Sequence, residues 1–241
     1  MKQHEAVIKA MEENGGFATL GFLYRKALQV PGVEWKTKTP FASIRRIVQD
    51  KRFFFKIRPG LWALQTSKHA ALNDLVEAAK DNKEEFDHSY YQGLLVELGN
   101  LKSYRTFVPS QDRNRIFLAR KLGDVATLSS YLQFTYENVL KRGQTVDVTW
   151  FNDRGFPAVL FEVEHSTDMQ NSMLKFLEFQ DFRTEFNVVF DGKRMREFEG
   201  KLRYVAFAPL RDRIRSITYE RLSEYHTKAH EAAQASIGMA L

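Results

Sequence analysis

The sequence of 241 residues has no cysteine and no long apolar run. Without cysteine the chain can form neither disulfides nor thiolate metal sites, which suits a reducing cytosol. No stretch approaches the roughly 20 apolar residues that span a membrane. The start, Met1 to Glu5, lacks the features of a signal peptide. These absences predict a cytoplasmic protein.

Several catalytic signatures are also missing. The sequence has no glycine-rich phosphate loop, which argues against a nucleotide-hydrolysing enzyme. Ser166 does not stand in a nucleophile-elbow context. At 44% hydrophobic residues with 20 phenylalanines, the chain can nevertheless bury a substantial core.

The charge is unevenly distributed. Residues 1–70 contain 13 basic and 5 acidic residues, whereas the remainder contains 23 basic and 25 acidic residues. A basic module is therefore joined to a nearly neutral one. Such a module attracts polyphosphates, because each neutralised phosphate releases condensed counterions. A solvated basic surface that only keeps the protein soluble is the alternative.

The basic module is predicted to contain three helices and a β-hairpin. Helices are expected at 2–13, 19–28 and 40–50, and the hairpin at 53–64 around the turn Arg58-Pro59-Gly60. Thr19 and Thr39 are the expected N-caps, the latter followed by Pro40 at the first helical position.

This layout resembles a winged helix-turn-helix of the HARE type. The matching residues are the opening helix, Gly16-Phe17, Pro40-Phe41-Ala42-Ser43-Ile44 and the wing that ends in Leu61-Trp62-Ala63-Leu64. The resemblance implies a third helix in the major groove and wing cations on phosphates. The DNA-binding residues that it nominates are Lys38, Ser43, Arg45, Arg46, Gln49, Lys51, Lys56 and Arg58. A winged helix that binds protein is the alternative.

Two carboxylates on one strand are the strongest chemical signal. Glu162 and Glu164 follow an apolar run, and because strand side chains alternate they point the same way. Asp147 lies in the preceding strand-like run, and folding the intervening turn about Asp153–Arg154 places it opposite Leu160 or Phe161. Buried charges need partners, and clustered carboxylates usually hold a divalent cation such as Mg²⁺.

The segments from residue 86 onward predict an α/β/α sandwich with a mixed sheet. Helices are expected at 89–98, 128–140, 167–179, 194–200 and 212–233, and strands at 104–109, 145–151, 158–164, 187–190 and 204–208. The predicted domains are 1–68 (winged helix), 69–85 (helical linker) and 86–241.

Residues 86–210 resemble the PD-(D/E)xK nucleases, the restriction-endonuclease-like fold. On that resemblance Asp147 is the first acid, Glu162 the second and Glu97 an additional acid on a helix. Mg²⁺, which Mn²⁺ can replace, would be held by Asp147, Glu162 and Glu164. Val146 stands where the family name has proline, and Glu164 stands where lysine is usual. Glu164 would then orient or deprotonate the attacking water or hold a second metal ion. His165 points to the opposite face, and Lys175 or Gln180 could face the phosphate.

The resulting hypothesis is a Mg²⁺-dependent endodeoxyribonuclease, of the type II-like restriction class, that acts on double-stranded DNA as a homodimer. The winged helix would recognise a site or a base modification. One alternative is a catalytically inactive nuclease-fold regulator that only binds DNA. A weaker one is an RNA-processing nuclease, against which the lack of an aromatic stacking pattern argues.

Overall fold

The structure is a computed structural model that describes residues 1–35, 39–65, 70–166 and 168–237. The chain divides into two compact units. The first contains residues 1–83 with 223–241, and the second contains residues 84–222. The predicted domains 1–68, 69–85 and 86–241 have different bounds and stay a prediction. Among the described residues, no helix is long and apolar enough to cross a membrane.

The first unit contains a small helical core beside an antiparallel sheet. Its elements are α1 (Gln3–Glu12), β1 (Phe17–Thr19), α2 (Leu20–Lys26), α3 (Pro40–Ile47), β2 (Phe54–Arg58), β3 (Leu61–Leu64) and α4 (Ala70–Asp81). The strand order is β1-β3-β2, and both pairings are antiparallel. The three helices and the hairpin lie where the sequence predicts them, whereas β1 was not predicted.

Local sequence explains how these helices begin. Thr19 caps α2, since its side chain accepts a hydrogen bond from the Phe22 N–H at 3.3 Å. Thr39 occupies the N-cap position of α3 without a side-chain cap bond, so Pro40 at N1 is the start signal there. Ile44 and Val48 turn inward and pack with Val7, Leu23 and Tyr24 in the unit's core, among other residues.

The second unit is built on a five-stranded mixed sheet in the order β10-β9-β8-β7-β4. Its strands are β4 (Arg105–Phe107), β7 (Val148–Phe151), β8 (Pro157–Glu164), β9 (Glu185–Phe190) and β10 (Ile214–Thr218); β5 (Ile116–Phe117) and β6 (Arg120–Lys121) form a separate small hairpin. Strands β4, β7 and β8 are antiparallel to one another in turn, and β8, β9 and β10 are parallel. The chain is therefore a mixed α/β protein.

Helices cover both faces of this sheet. They are α5 (Lys83–Leu101), α6 (Leu122–Val125), α7 (Glu137–Gly143), α8 (Met169–Leu177) and α9 (Met195–Leu202), and α10 (Tyr219–Ile237) follows β10 and continues into the first unit. Leu160 packs with Met173 and Phe176 of α8. Trp150 points to the opposite face and donates from Nε1 to the Leu95 carbonyl of α5 at 3.1 Å.

Three predicted elements of this unit are wrong. Residues Val205–Leu210 form a 3-10 helix that contains Pro209, instead of a strand. The fifth strand is Ile214–Thr218, at the start of the predicted terminal helix. Of the predicted helix 128–140 only residues 137–140 are helical, as the start of α7 (Glu137–Gly143). The charged residues 83–85, expected in a linker, begin α5, where acids in the first turn are favourable.

The register of the acidic hairpin also differs from the prediction. Val148 pairs with Phe161, so in antiparallel order Asp147 comes level with Glu162 rather than with Leu160 or Phe161. The shift arises from a bulge between Trp150 and Phe151 and from a wider loop. In that loop Asn152 Oδ1 accepts the N–H groups of Arg154 and Phe156 at 3.0 and 3.1 Å.

Candidate active site

Three acids converge where β8 ends. Glu162 and Glu164 lie on the face of β8 that Leu160 shares, and Asp147 immediately precedes β7. Asp147 is 8% exposed, Glu162 is 3% exposed and Glu164 is 5% exposed. Carboxylates so deeply buried require compensation by hydrogen bonds or positive charge. In open α/β sheets the carboxyl ends of parallel strands are also where ligands bind.

The hairpin joins the first two acids through backbone hydrogen bonds. The Asp147 N–H donates to Glu162 Oε1 at 3.3 Å, and the Val163 N–H donates to Asp147 Oδ2 at 2.7 Å. Each carboxylate therefore accepts a hydrogen bond from the strand that carries the other. This reciprocal arrangement fixes both side chains relative to the sheet.

Helix α8 brings a lysine and a serine to the same place. Lys175 Nζ donates to both oxygens of Glu162 at 2.8 and 2.9 Å and to the Thr145 carbonyl at 2.8 Å. Its side chain is 19% exposed, so the ammonium is partly shielded from water. Ser172 Oγ donates to Glu164 Oε1 and contacts Glu162 Oε2 at 3.3 Å. The serine thereby holds the two carboxylates of β8 side by side.

The electrostatics of this cluster are those of excess buried negative charge. Burial raises the pKa of Asp147, and His88 and Lys175 oppose that rise. Burial, followed by the nearby charge of Asp147, raises the pKa of Glu162 well above its usual value, even though Lys175 lies against it. One ammonium thus does not balance the two carboxylates, and further positive charge would stabilise their ionised forms.

Helix α5 adds a second set of polar side chains behind Asp147. His88 Nε2 lies 3.7 Å from Asp147 Oδ1. One turn further on, Gln92 Nε2 donates to Asp112 Oδ2 at 2.9 Å and to the Asp147 carbonyl at 3.1 Å. Asp112 is 2% exposed and pairs with Arg115 Nε at 3.0 Å. His88, Asp112 and Asp147 form a group that could hold a metal ion, with ligand atoms within 4.8 Å of one another.

The structure does not bring Glu97 to the three acids. It follows His88 by nine residues on α5, about 13 Å along the helix axis. Its carboxylate pairs with Arg120 at 2.9 Å. His165 lies against Tyr219, whose hydroxyl is 3.1 Å from each ring nitrogen. The carbonyl of Gln180 accepts a hydrogen bond from Arg213.

Sequence reasoning missed His88, Gln92, Asp112 and Ser172, and it gave Lys175 only a minor place. A usable signal existed on α8. Met169, Met173 and Phe176 form its buried stripe, and the fully buried Ser172 interrupts that stripe on the same face. His88 and Gln92 are an i, i+4 pair, but α5 was expected to begin only at residue 89. Asp112 lies in a loop, where periodicity gives no guidance.

The DNA-binding candidates of the first unit fall into distinct environments. Arg46, Gln49, Lys51 and Lys56 are exposed, whereas Ser43 and Arg58 are half-buried. Arg45 is committed within the unit: it donates to Tyr24 Oη at 3.1 Å and pairs with Glu231 of α10 at 2.5 Å. Lys38 lies outside the described residues.

Comparisons with known proteins agree with a restriction enzyme. The family model described as the type II restriction enzyme NmeDI C-terminal domain matches residues 70–235. That range includes every side chain of the acidic cluster. No curated protein and no solved structure matches the chain. Because the model covers well over half of the 241 residues, the chain belongs to the family of the type II restriction enzyme NmeDI C-terminal domain.

Proposed function

We propose that the chain is a divalent-metal-dependent endonuclease of the PD-(D/E)xK type, which cuts double-stranded DNA as a type II-like restriction enzyme. The observation that carries the proposal is the buried cluster of Asp147, Glu162 and Glu164 with Lys175, at the carboxyl end of β8. The family match supports the restriction role, since the whole cluster lies inside the matched range.

The donor set fits Mg²⁺ or Mn²⁺. Asp147 and Glu162 offer hard oxygen ligands that are held together by the hairpin, and Glu164 stands beside Glu162 through Ser172. Burial raises the pKa of Asp147 and of Glu162 although Lys175 lies against Glu162, which supports a need for further positive charge here. A divalent cation there would lower the pKa of the attacking water and neutralise charge on the phosphoryl group.

Lys175 supplies the cation that the strand lacks at position 164. Its ammonium lies on the second acid, Glu162, but reaches that acid from α8 instead of from β8. We propose that Lys175 Nζ contacts the scissile phosphate and stabilises the negative charge of the transition state. Glu164, which Ser172 orients, would accept a proton from the attacking water. Glu97 has no part in this assignment.

The first unit would bind DNA as a winged helix of the HARE type. Its element order, with α3 exposing Arg46 and with the β2–β3 hairpin beside it, supports this reading. Arg46 and Gln49 would face the major groove, and Lys51 and Lys56 would contact phosphates. Arg45 is assigned to stability instead, because Glu231 and Tyr24 already occupy its guanidinium.

Plasmid cleavage tests the proposed function. Purified full-length protein is incubated with Mg²⁺ and supercoiled plasmids that carry or lack base modifications, and the ends are mapped. Wild type should cut at least one plasmid, and EDTA should stop the reaction. Asp147→Asn should abolish cleavage, while Asp153→Asn, the same change at an exposed loop position, should not. Absence of cleavage on every DNA would support the inactive regulator instead.

The homodimer is a further part of the proposal. A two-fold symmetric dimer would carry two active sites, one for each strand, so that both strands could be cut at one DNA site. Sedimentation analysis of the protein with and without a cleavable duplex measures this. A monomer that produces only nicked plasmid would contradict it.

A further inference from the structure

We propose that His88, Asp112 and Asp147 form a second divalent-cation site, distinct in its ligands from the one at Glu162, that takes Mn²⁺ in preference to Mg²⁺. Asp147 would be shared by both ions. The inference rests on the proposed function for the role of the first ion, but the second site itself is defined by its own side chains. Neither His88, on α5, nor Asp112, in a loop, was among the site residues predicted from the sequence.

The distances within this group suit a common ion better than they suit direct bonds. His88 Nε2 and Asp147 Oδ1 are 3.7 Å apart, which is too far for a good hydrogen bond. Two ligands that each lie about 2.1 Å from one ion are separated by about 3 to 4 Å, depending on geometry. All three ligand atoms lie within 4.8 Å of one another, so small side-chain movements would bring them onto one ion.

Burial and unsatisfied polarity distinguish this group from an ordinary surface cluster. Asp112 and Asp147 are both buried. Gln92 is fully buried, and its Oε1 has no hydrogen-bond partner among the described residues. Its amide nitrogen donates to Asp112 and to the Asp147 carbonyl, so the free amide oxygen is beside the cluster. A water bound to the ion would satisfy that oxygen.

The pairing of Asp112 with Arg115 leaves room for the ion. Arg115 Nε contacts Oδ1, and Gln92 Nε2 contacts Oδ2. A carboxylate offers about four lone-pair sites, so each oxygen retains one. The net charge of His88, Asp112, Asp147 and Arg115 is then −1 with a neutral imidazole, which favours a cation.

The imidazole determines the choice of metal. Mg²⁺ prefers oxygen ligands and gives up its water reluctantly, whereas imidazole nitrogen suits transition-metal ions. A site with one nitrogen and two carboxylates therefore favours Mn²⁺, while the all-carboxylate site at Glu162 accepts either ion. The two sites should differ in how well Mg²⁺ competes for them.

Electron paramagnetic resonance on the full chain tests the proposal without DNA. The metal-free protein is titrated with Mn²⁺, bound ions are counted, and pulsed spectra are examined for coupling to ¹⁴N. Wild type should bind two Mn²⁺ ions, one with nitrogen coupling that excess Mg²⁺ fails to remove. His88→Leu should bind one ion without that coupling. Wild type that shows no nitrogen coupling, or His88→Leu that retains it, overturns the proposal.

Matched variants separate this site from the first one and from misfolding. Asp112→Asn should weaken the nitrogen-coupled ion at least tenfold, whereas Asp124→Asn, an exposed carboxylate of the same unit, should not. Glu162→Gln should retain the nitrogen-coupled ion. If a folded Glu162→Gln protein loses that ion, the claim that the two sites are independent is overturned. If wild type binds the nitrogen-coupled Mn²⁺ ion but cuts no plasmid, the second site is supported and the nuclease function is refuted. If wild type cuts plasmid but binds no nitrogen-coupled ion, the nuclease function is supported and the second site is refuted.

Discussion

The two compact units use charge in opposite ways. In the first, Arg46, Lys51 and Lys56 are exposed to water, and their charges cost the fold little. In the second, Asp147, Glu162 and Glu164 are nearly inaccessible, and burial raises the pKa of Asp147 and of Glu162. Exposed cations suit a long, mobile polyanion that is met from solution. Buried carboxylates suit an ion that must be held in one position against a single phosphate.

Replacement of Lys175 in the second unit is expected to have the largest effect. Lys175→Met should lower the single-turnover cleavage rate by about 10² or more, because a charge aimed at the transition state is lost. Lys193→Met, an exposed lysine of the same unit, should leave the rate within about twofold. A mutant with unchanged cleavage would contradict the role of Lys175. Far-UV circular dichroism checks that both variants are folded.

In the first unit, substitutions of the neighbouring residues Arg46 and Arg45 should have different effects. Arg46→Ala should weaken DNA binding by about 1–2 kcal/mol and reduce the discrimination between DNA sequences, with little change in Tm. Arg45→Ala should instead lower Tm by about 2–4 °C, since it removes the contacts with Tyr24 and Glu231. Fluorescence anisotropy with duplexes of different sequence measures the binding, and thermal melts measure Tm. An exchange of these effects would show that Arg45 is the DNA contact.

The cost of buried charge predicts a smaller effect on stability. In EDTA at neutral pH, Asp147→Asn should melt about 2–4 °C above wild type, because an amide is cheaper to bury and can still accept the Val163 N–H. Mg²⁺ should raise the Tm of wild type but not of the mutant, since the ion stabilises only the folded state that binds it. A mutant that is less stable than wild type without metal would contradict the unfavourable burial of Asp147.

Tyr91 gives the smallest expected effect. Its ring stacks on Tyr219 at a centroid distance of 3.8 Å, and burial raises its pKa well above the usual value. A raised folded-state pKa contributes stability that is fully present below the unfolded pKa of about 10 and is lost as pH rises above it. Tyr91→Phe should therefore flatten the decline in Tm above pH 10. Tyr136→Phe, at an exposed position, should leave that decline unchanged.

The sequence predicts local features better than it predicts register and packing. Thr19, Pro40 and the Asn152–Gly155 turn signal act within a few residues, and the helices and the hairpins appear where these signals stand. The exact pairing of Asp147 with Glu162 depends on a bulge that no local pattern announces. Residues 204–208 are apolar like a strand, but Pro209 and the packing of Phe207 and Leu210 favour a 3-10 helix.

The residues of the candidate site also divide into those that local sequence predicts and those that only packing brings to the site. Glu162 and Glu164 were evident because two acids ended an apolar run, and Asp147 because a turn linked its strand to theirs. Lys175 and Ser172 reach them from α8, and His88 and Gln92 do so from α5. Contacts between a strand and a helix depend on how the helix rotates on the sheet. Local patterns such as periodicity, caps and turns do not specify that rotation.

Anomalous diffraction from crystals of the protein with Mn²⁺ can locate a cation held by the buried acids. The account predicts an anomalous peak about 2.2 Å from oxygens of both Asp147 and Glu162, with Lys175 beside it. Occupation of that space by the Lys175 ammonium alone at saturating Mn²⁺, with no peak near either carboxylate, would contradict it.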